Sequence, residues 1–140
     1  MTRVVGIRAR WATVLVSAFL TIPVFLFPTA ARGGSQKCHG QEASIVGTDG
    51  SDEIRGTDRA DVIVAGAGDD RVNALDGNDR VCGGKGNDSL RGRRQADVLF
   101  GGVGNDYLDG DRDRDTAYAH RGDDECVQVE IYYACNEVNR

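Results

Sequence analysis

Residues 83–91 read GGKGNDSLR and residues 101–109 read GGVGNDYLD. Each stretch sets three glycines ahead of one aspartate (Asp88, Asp106), and two places after that aspartate comes a leucine (Leu90, Leu108). Taken alone, a segment of this composition reads as a flexible surface loop. Stepping outward by nine residues in both directions removes that reading. Asp52, Asp61, Asp70, Asp79, Asp88, Asp97, Asp106, Asp115 and Asp124 form an unbroken series at a spacing of nine. The 81 residues from Gly47 to Val127 contain 17 aspartates. Chance fills every one of those positions about once in a hundred thousand, so the chain is a repeat.

The position two places after each aspartate holds Ile54, Ile63, Val72, Val81, Leu90, Leu99, Leu108, Ala117 or Cys126. A carboxylate and an inward apolar side chain therefore recur together. Six turn-like residues followed by three extended ones make half a coil of a solenoid, with only the middle extended residue facing inward because strand side chains alternate. Two blocks complete one coil, and successive coils stack as parallel strands about 4.8 Å apart. The expected fold is all-β: a parallel β-roll, a right-handed solenoid of nine-residue half-coils with short N- and C-terminal caps.

Blocks of the same parity share an edge. The odd blocks carry Gly50, Gly68, Gly86, Gly104 and Gly122 at their fourth position, and the even ones carry Arg59, Gly77, Gln95 and Asp113. Glycine fits a tight turn at positive φ, so the odd edge reads as regular and the even edge as degraded. Carboxylates stacked about 5 Å apart repel, and glycine-rich turns leave carbonyl oxygens bare. A hard divalent cation with oxygen ligands answers both conditions.

The two quoted blocks, with AGAGDDRVN (65–73) close behind, resemble the nonapeptide repeats of RTX, or hemolysin-type, calcium-binding proteins, and the resemblance covers 81 of 140 residues. It implies Ca²⁺ held between neighbouring turns on one edge. Carried over by position, the ligands are Asp52, Asp70, Asp88, Asp106 and Asp124, which bracket about four ions. Asp61, Asp79, Asp97 and Asp115 keep the carboxylate on the even edge. There Arg59, Arg93, Arg94, Arg112 and Arg114 offer ion pairing as the alternative way to neutralise the column.

The flanks read differently. Arg3, Arg8 and Arg10 precede the uncharged run Trp11 to Phe27, which ends in Thr29, Ala30 and Ala31. That order reads as a secretory signal peptide over 1–31, and its 17 residues, interrupted by Pro23, are short for a membrane anchor. Residues 32–46 read as an N-terminal cap, with Ile45 at an inward position and Ala43 where an aspartate belongs. Residues 47–127 are the nine repeats. Residues 128–140 read as a cap strand, because Val127, Val129, Ile131 and Tyr133 alternate with polar neighbours or Tyr132.

The chain carries 17 Lys and Arg against 22 Asp and Glu, a net charge of −5; without residues 1–31 and their three arginines the balance becomes 14 minus 22, or −8. That sign argues against nucleic acid as a partner, and no membrane partner is expected once the leader is removed. No protein partner is legible. Cys38, Cys82, Cys126 and Cys135 lack metal-cluster spacing and read as extracellular disulfides. Cys126 with Cys135, nine apart, is favoured, leaving Cys38 with Cys82 by elimination.

Other motifs dissolve into the period. The RGD at 121–123 and the NDS at 87–89 fall on turn positions, and His39 and His120 sit in no HExxH helix. The aspartates form a column with no apolar pocket to raise a catalytic acid, and no GxSxG elbow occurs. The sequence thus predicts a secreted calcium-binding protein that folds on binding, and no enzyme. The alternative is a calcium-scaffolded surface or matrix protein, with Phe100, Tyr107, Tyr118 and Tyr132 on outward positions as its binding face.

Overall fold

A computed structural model describes residues 36–137. The expected signal peptide lies outside the described residues. Within them the backbone forms fourteen strands and no helix. A two-stranded antiparallel hairpin, β1 (Lys37–Cys38) and β2 (Gln41–Glu42), comes first. The strands β3 (Ile45–Val46), β5 (Val62–Ala67), β7 (Arg80–Lys85), β9 (Val98–Val103), β11 (Thr116–Arg121) and β13 (Ile131–Tyr133) follow one another in a parallel sheet. The alternate strands β4 (Glu53–Arg55), β6 (Arg71–Asp76), β8 (Ser89–Arg94), β10 (Tyr107–Asp111), β12 (Glu125–Val127) and β14 (Asn136–Glu137) build the second parallel sheet.

The register is the repeat made visible. Val81 pairs with Ile63 and Leu99, and Leu90 pairs with Val72 and Leu108, each partner 18 residues away. The chain is a parallel β-solenoid, as the nine-residue period predicts.

The core departs from the sequence reading in one respect. The central strands β5 to β11 run five or six residues rather than three, for example Val62–Ala67 and Ser89–Arg94. Two residues of each therefore face inward. Besides the aliphatic column (Ile63, Val81, Leu90, Leu99 and Leu108, all fully buried), the first position of each block points into the core, where Ala65, Ala74 and Ala119 are equally buried. Gly83, Gly92, Gly101 and Gly110 occupy that position elsewhere and are buried as well. Side chains this small let the sheets approach closely, so dispersion contacts make up for what the residues lack in area.

The two ends differ. Ile45 pairs with Ile63 and packs against the core, but the residues before it form the hairpin rather than another turn of the coil. The stretch after Val127 is two short strands, one on each sheet, and not one continuous strand; Ile131, Tyr132 and Tyr133 are all exposed. Both expected disulfides are present. Cys126–Cys135 closes the last coil, and Cys38–Cys82 ties the hairpin to the outer face of β7.

Candidate metal centre

The repeated aspartate closes every turn, and its two oxygens have separate fates. One oxygen joins coils: the N–H of Asp70 donates to Oδ1 of Asp88, and the N–H of Asp88 donates to Oδ1 of Asp106, both at 2.9 Å. The same bond runs along the other edge, from Asp61 to Asp79 and from Asp79 to Asp97, at 2.8 Å. From Asp70 to Asp124 each carboxylate of the series thus accepts a backbone donor from the preceding coil, which fixes the coil spacing.

The other oxygen is orphaned. Oδ2 of Asp70, Asp79, Asp88, Asp97, Asp106, Asp115 and Asp124 is buried without a hydrogen-bond partner. A buried, unpaired carboxylate oxygen is costly, and here the cost recurs at each repeat from Asp70 to Asp124. The charge shows it: burial pushes Asp97 up to about 8 and Asp88 up to about 7, with the aspartates above and below adding to the rise. Asp79, Asp106 and Asp115 are raised to about 6, also chiefly by burial. In each the donated backbone N–H opposes the shift without cancelling it.

The turns supply further oxygen. The carbonyls of Gly66, Gly68, Gly84 and Gly86 face the Cα atoms of Gly84, Gly86, Gly102 and Gly104 in the following coil, so a Cβ on any of these four would strike a backbone oxygen. At Gly86, where φ is +114°, a side chain is excluded twice over, by the backbone conformation and by the Gly68 carbonyl. Among the described residues no three His, Cys, Asp or Glu side chains gather at one point. Side chains alone do not make a metal centre here; a cation of the calcium class, which takes carbonyl as readily as carboxylate oxygen, fits the set.

The nine aspartates named from the sequence fall on two edges, five on one and four on the other, and all but Asp52 are buried. The even edge is less degraded than its composition suggests. Leu75, Arg93, Gln95, Asp111 and Asp113 adopt positive φ, from +69° to +96°, at the positions where the odd edge uses glycine. Such residues in this region cost about 1–3 kcal/mol each. Cross-coil contacts join four of them: Arg93 meets Asp111 at 3.3 Å, and the Gln95 N–H donates to Asp113 at 2.8 Å; beside them Arg94 meets Asp76 at 3.5 Å.

The arginines, then, do not neutralise the column. The three ion pairs among the described residues join Arg91, Arg93 and Arg94 to Asp109, Asp111 and Asp76, and none reaches a column aspartate. Two column ends have caps that the period did not foretell. Ser44 donates its hydroxyl to Oδ1 of Asp61 at 3.2 Å, and Glu130 accepts the Asp115 N–H at 2.6 Å where the next carboxylate of the series would stand. Asp52, at the start of the odd column, turns its Oδ2 to the N–H and hydroxyl of Thr48 instead.

Comparison with protein families matches one model, the RTX calcium-binding nonapeptide repeat (4 copies), over residues 46–81, 83–117 and 101–126. Comparison with curated proteins and with solved structures found no match.

Proposed function

The chain belongs to the RTX calcium-binding nonapeptide repeat family, and on that footing we propose that it is a secreted protein whose turns bind calcium along both edges and whose folding is completed by that binding. One observation carries the reading: seven of the nine repeated aspartates, four on the odd edge and three on the even, bury a carboxylate oxygen that no protein group satisfies, while Asp52 and Asp61 give theirs to Thr48 and Thr57. Asp52, Asp70, Asp88, Asp106 and Asp124 would hold ions on the odd edge and Asp61, Asp79, Asp97 and Asp115 on the even edge, with turn carbonyls completing the oxygen shell. Bound calcium supplies positive charge between stacked carboxylates. The protein's own contribution is to space those carboxylates by the N–H to Oδ1 ladder and to keep side chains out of the gaps.

Folding on binding follows from where the cost sits. The carboxylates are buried only in the coiled state, so a cation that neutralises them stabilises that state and not the unfolded chain. The two disulfides and the leader-like N-terminus support an exported location, where calcium is abundant. Far-UV circular dichroism tests the coupling: calcium is expected to raise β-structure in a cooperative step, and full β-structure in excess chelator at neutral pH would overturn it. A second reading, in which calcium only props up an interaction surface, is favoured by the aromatic row on one outer face.

A further inference from the structure

The outer face of the sheet containing β7, β9 and β11 carries a feature the repeat does not require. His39, in the N-terminal hairpin, stacks on Phe100 with ring centroids 3.7 Å apart, Phe100 stacks on Tyr118 at 5.0 Å, and Tyr118 stacks on Tyr133 at 4.7 Å. These rings lie within 17° of parallel to their neighbours. The row exists because parallel pairing sets Phe100 beside Tyr118 and Tyr118 beside Tyr133, while the Cys38–Cys82 bridge swings His39 over Phe100. Phe100 is consequently 7% exposed, not an open surface ring as its outward position suggests.

Beside this row lies a 510 Å³ pocket lined by His39, Arg80, Phe100, Thr116, Tyr118 and His120, together with Val98, and by no carboxylate. In a chain of 22 acidic residues, a pocket free of them and holding one guanidinium and two imidazoles stands out. The guanidinium carbon of Arg80 sits 5.6 Å from the Phe100 centroid, and the two imidazoles lie 5.9 Å apart. Burial, then His120, then Arg80 lower the pKa of His39, which disfavours its charged form. Stacking uses up the ring faces, which are negative, and leaves the positive ring edges outward. At Phe100 and Tyr118, the two rings of the row that line the pocket from the sheet, faces for stacking a neutral sugar are therefore not on offer.

We propose that this pocket binds an oxyanion, carboxylate or sulfate-like, gripped by the Arg80 fork and by N–H groups of His39 and His120 against the edges of Phe100 and Tyr118. The planar fork of Arg80 matches two oxygens of such a group. The imidazoles donate in either protonation state, since a neutral ring keeps one N–H. The pocket lies on the outer sheet face, apart from the carboxylate columns, so the proposal is independent of how many ions the edges hold.

The test is an NMR titration of the full calcium-loaded protein with sodium sulfate and with sodium acetate, against sodium chloride at matched ionic strength. Saturable shifts of the His39 and His120 ring resonances are expected with an oxyanion and not with chloride. Arg80→Gln is expected to weaken the response at least about fivefold, and Arg55→Gln, on the opposite sheet, to leave it unchanged. Should Arg80→Gln fail to fold, His120→Ala, an exposed position, carries the same expectation. Response to both anions or to one supports the pocket and defines its class. Equal shifts with chloride, or unaltered affinity in the folded variant, overturn it.

Discussion

The backbone N–H of Asp88 donates to Oδ1 of Asp106, one coil further on, while Oδ2 of the same Asp106 has no partner. A single carboxylate thus performs two separable tasks, spacing the coils with one oxygen and holding charge with the other. Asp106→Asn and Asp106→Ala separate them. The asparagine keeps an acceptor for the Asp88 N–H and loses the charge, so calcium affinity is expected to fall by about tenfold while the calcium-loaded fold persists. The alanine also strands a buried N–H, adding about 1–3 kcal/mol of destabilisation. Calorimetric calcium titration with chemical denaturation checks both; equal behaviour of the two variants would contradict the division.

Two fourth-position glycines should differ in tolerance. Gly86 has φ +114° and the Gly68 carbonyl against it, whereas a Cβ on Gly50 meets only the Thr48 hydroxyl at 3.9 Å, with no positive φ. Gly86→Ala is expected to cost more than about 1 kcal/mol and Gly50→Ala to be near neutral. Denaturation midpoints in calcium decide it, and equal midpoints would count against the close stacking of turns.

The pH response of the metal-free protein has a definite sign. Burial raises Asp97 to about 8 and Asp88 to about 7 in the fold, while the unfolded chain titrates near about 4. Between these values the folded state binds more protons, so this contribution is fully present below about 4 and is lost as pH rises through the folded values. Metal-free protein is therefore expected to be more ordered at pH about 5 than at pH about 8. Calcium binding near pH about 7 should release protons. Thermal scans at the two pH values and calorimetry in buffers of different ionisation enthalpy measure these; greater metal-free stability at the higher pH would contradict the account.

The disulfides rank by the loops they close. Cys38–Cys82 spans 44 residues and Cys126–Cys135 spans 9. By chain entropy, losing the first costs about 4 kcal/mol and losing the second about 3 kcal/mol. Paired Cys→Ser variants, compared by denaturation in calcium, test the order. The first pair also frees His39 from Phe100, which a change in the His39 resonances would report.

What the sequence disclosed was whatever repeats with an identity that stands out. The spacing of Asp52 to Asp124 and the aliphatic residue two places later fix the coil, the register and the parity of edges; the same spacing of nine favours Cys126–Cys135, and Cys38–Cys82 is left by elimination. Less legible was anything resting on unremarkable residues. The second inward position is Ala or Gly, the same residues a turn would use, so nothing flagged Ala65 or Gly83 as core. Leu75, Arg93 and Gln95 at positive φ override their own preferences because neighbouring coils impose the turn, which no local propensity records. Glu130 caps Asp115 from a different spacing, 15 residues on instead of 18, outside the period altogether. His39 reaches Phe100 through a disulfide, a contact that depends on a covalent bond between distant positions.

The central claim is that divalent cations satisfy the orphaned carboxylate oxygens on both edges. Calorimetric titration of the metal-free protein with calcium at neutral pH tests it most directly. The account predicts uptake of about seven ions per chain, about four between the odd-edge aspartates and about three between the even-edge ones, with β-structure rising in step. A protein that takes up no calcium and keeps the same circular dichroism throughout would contradict it.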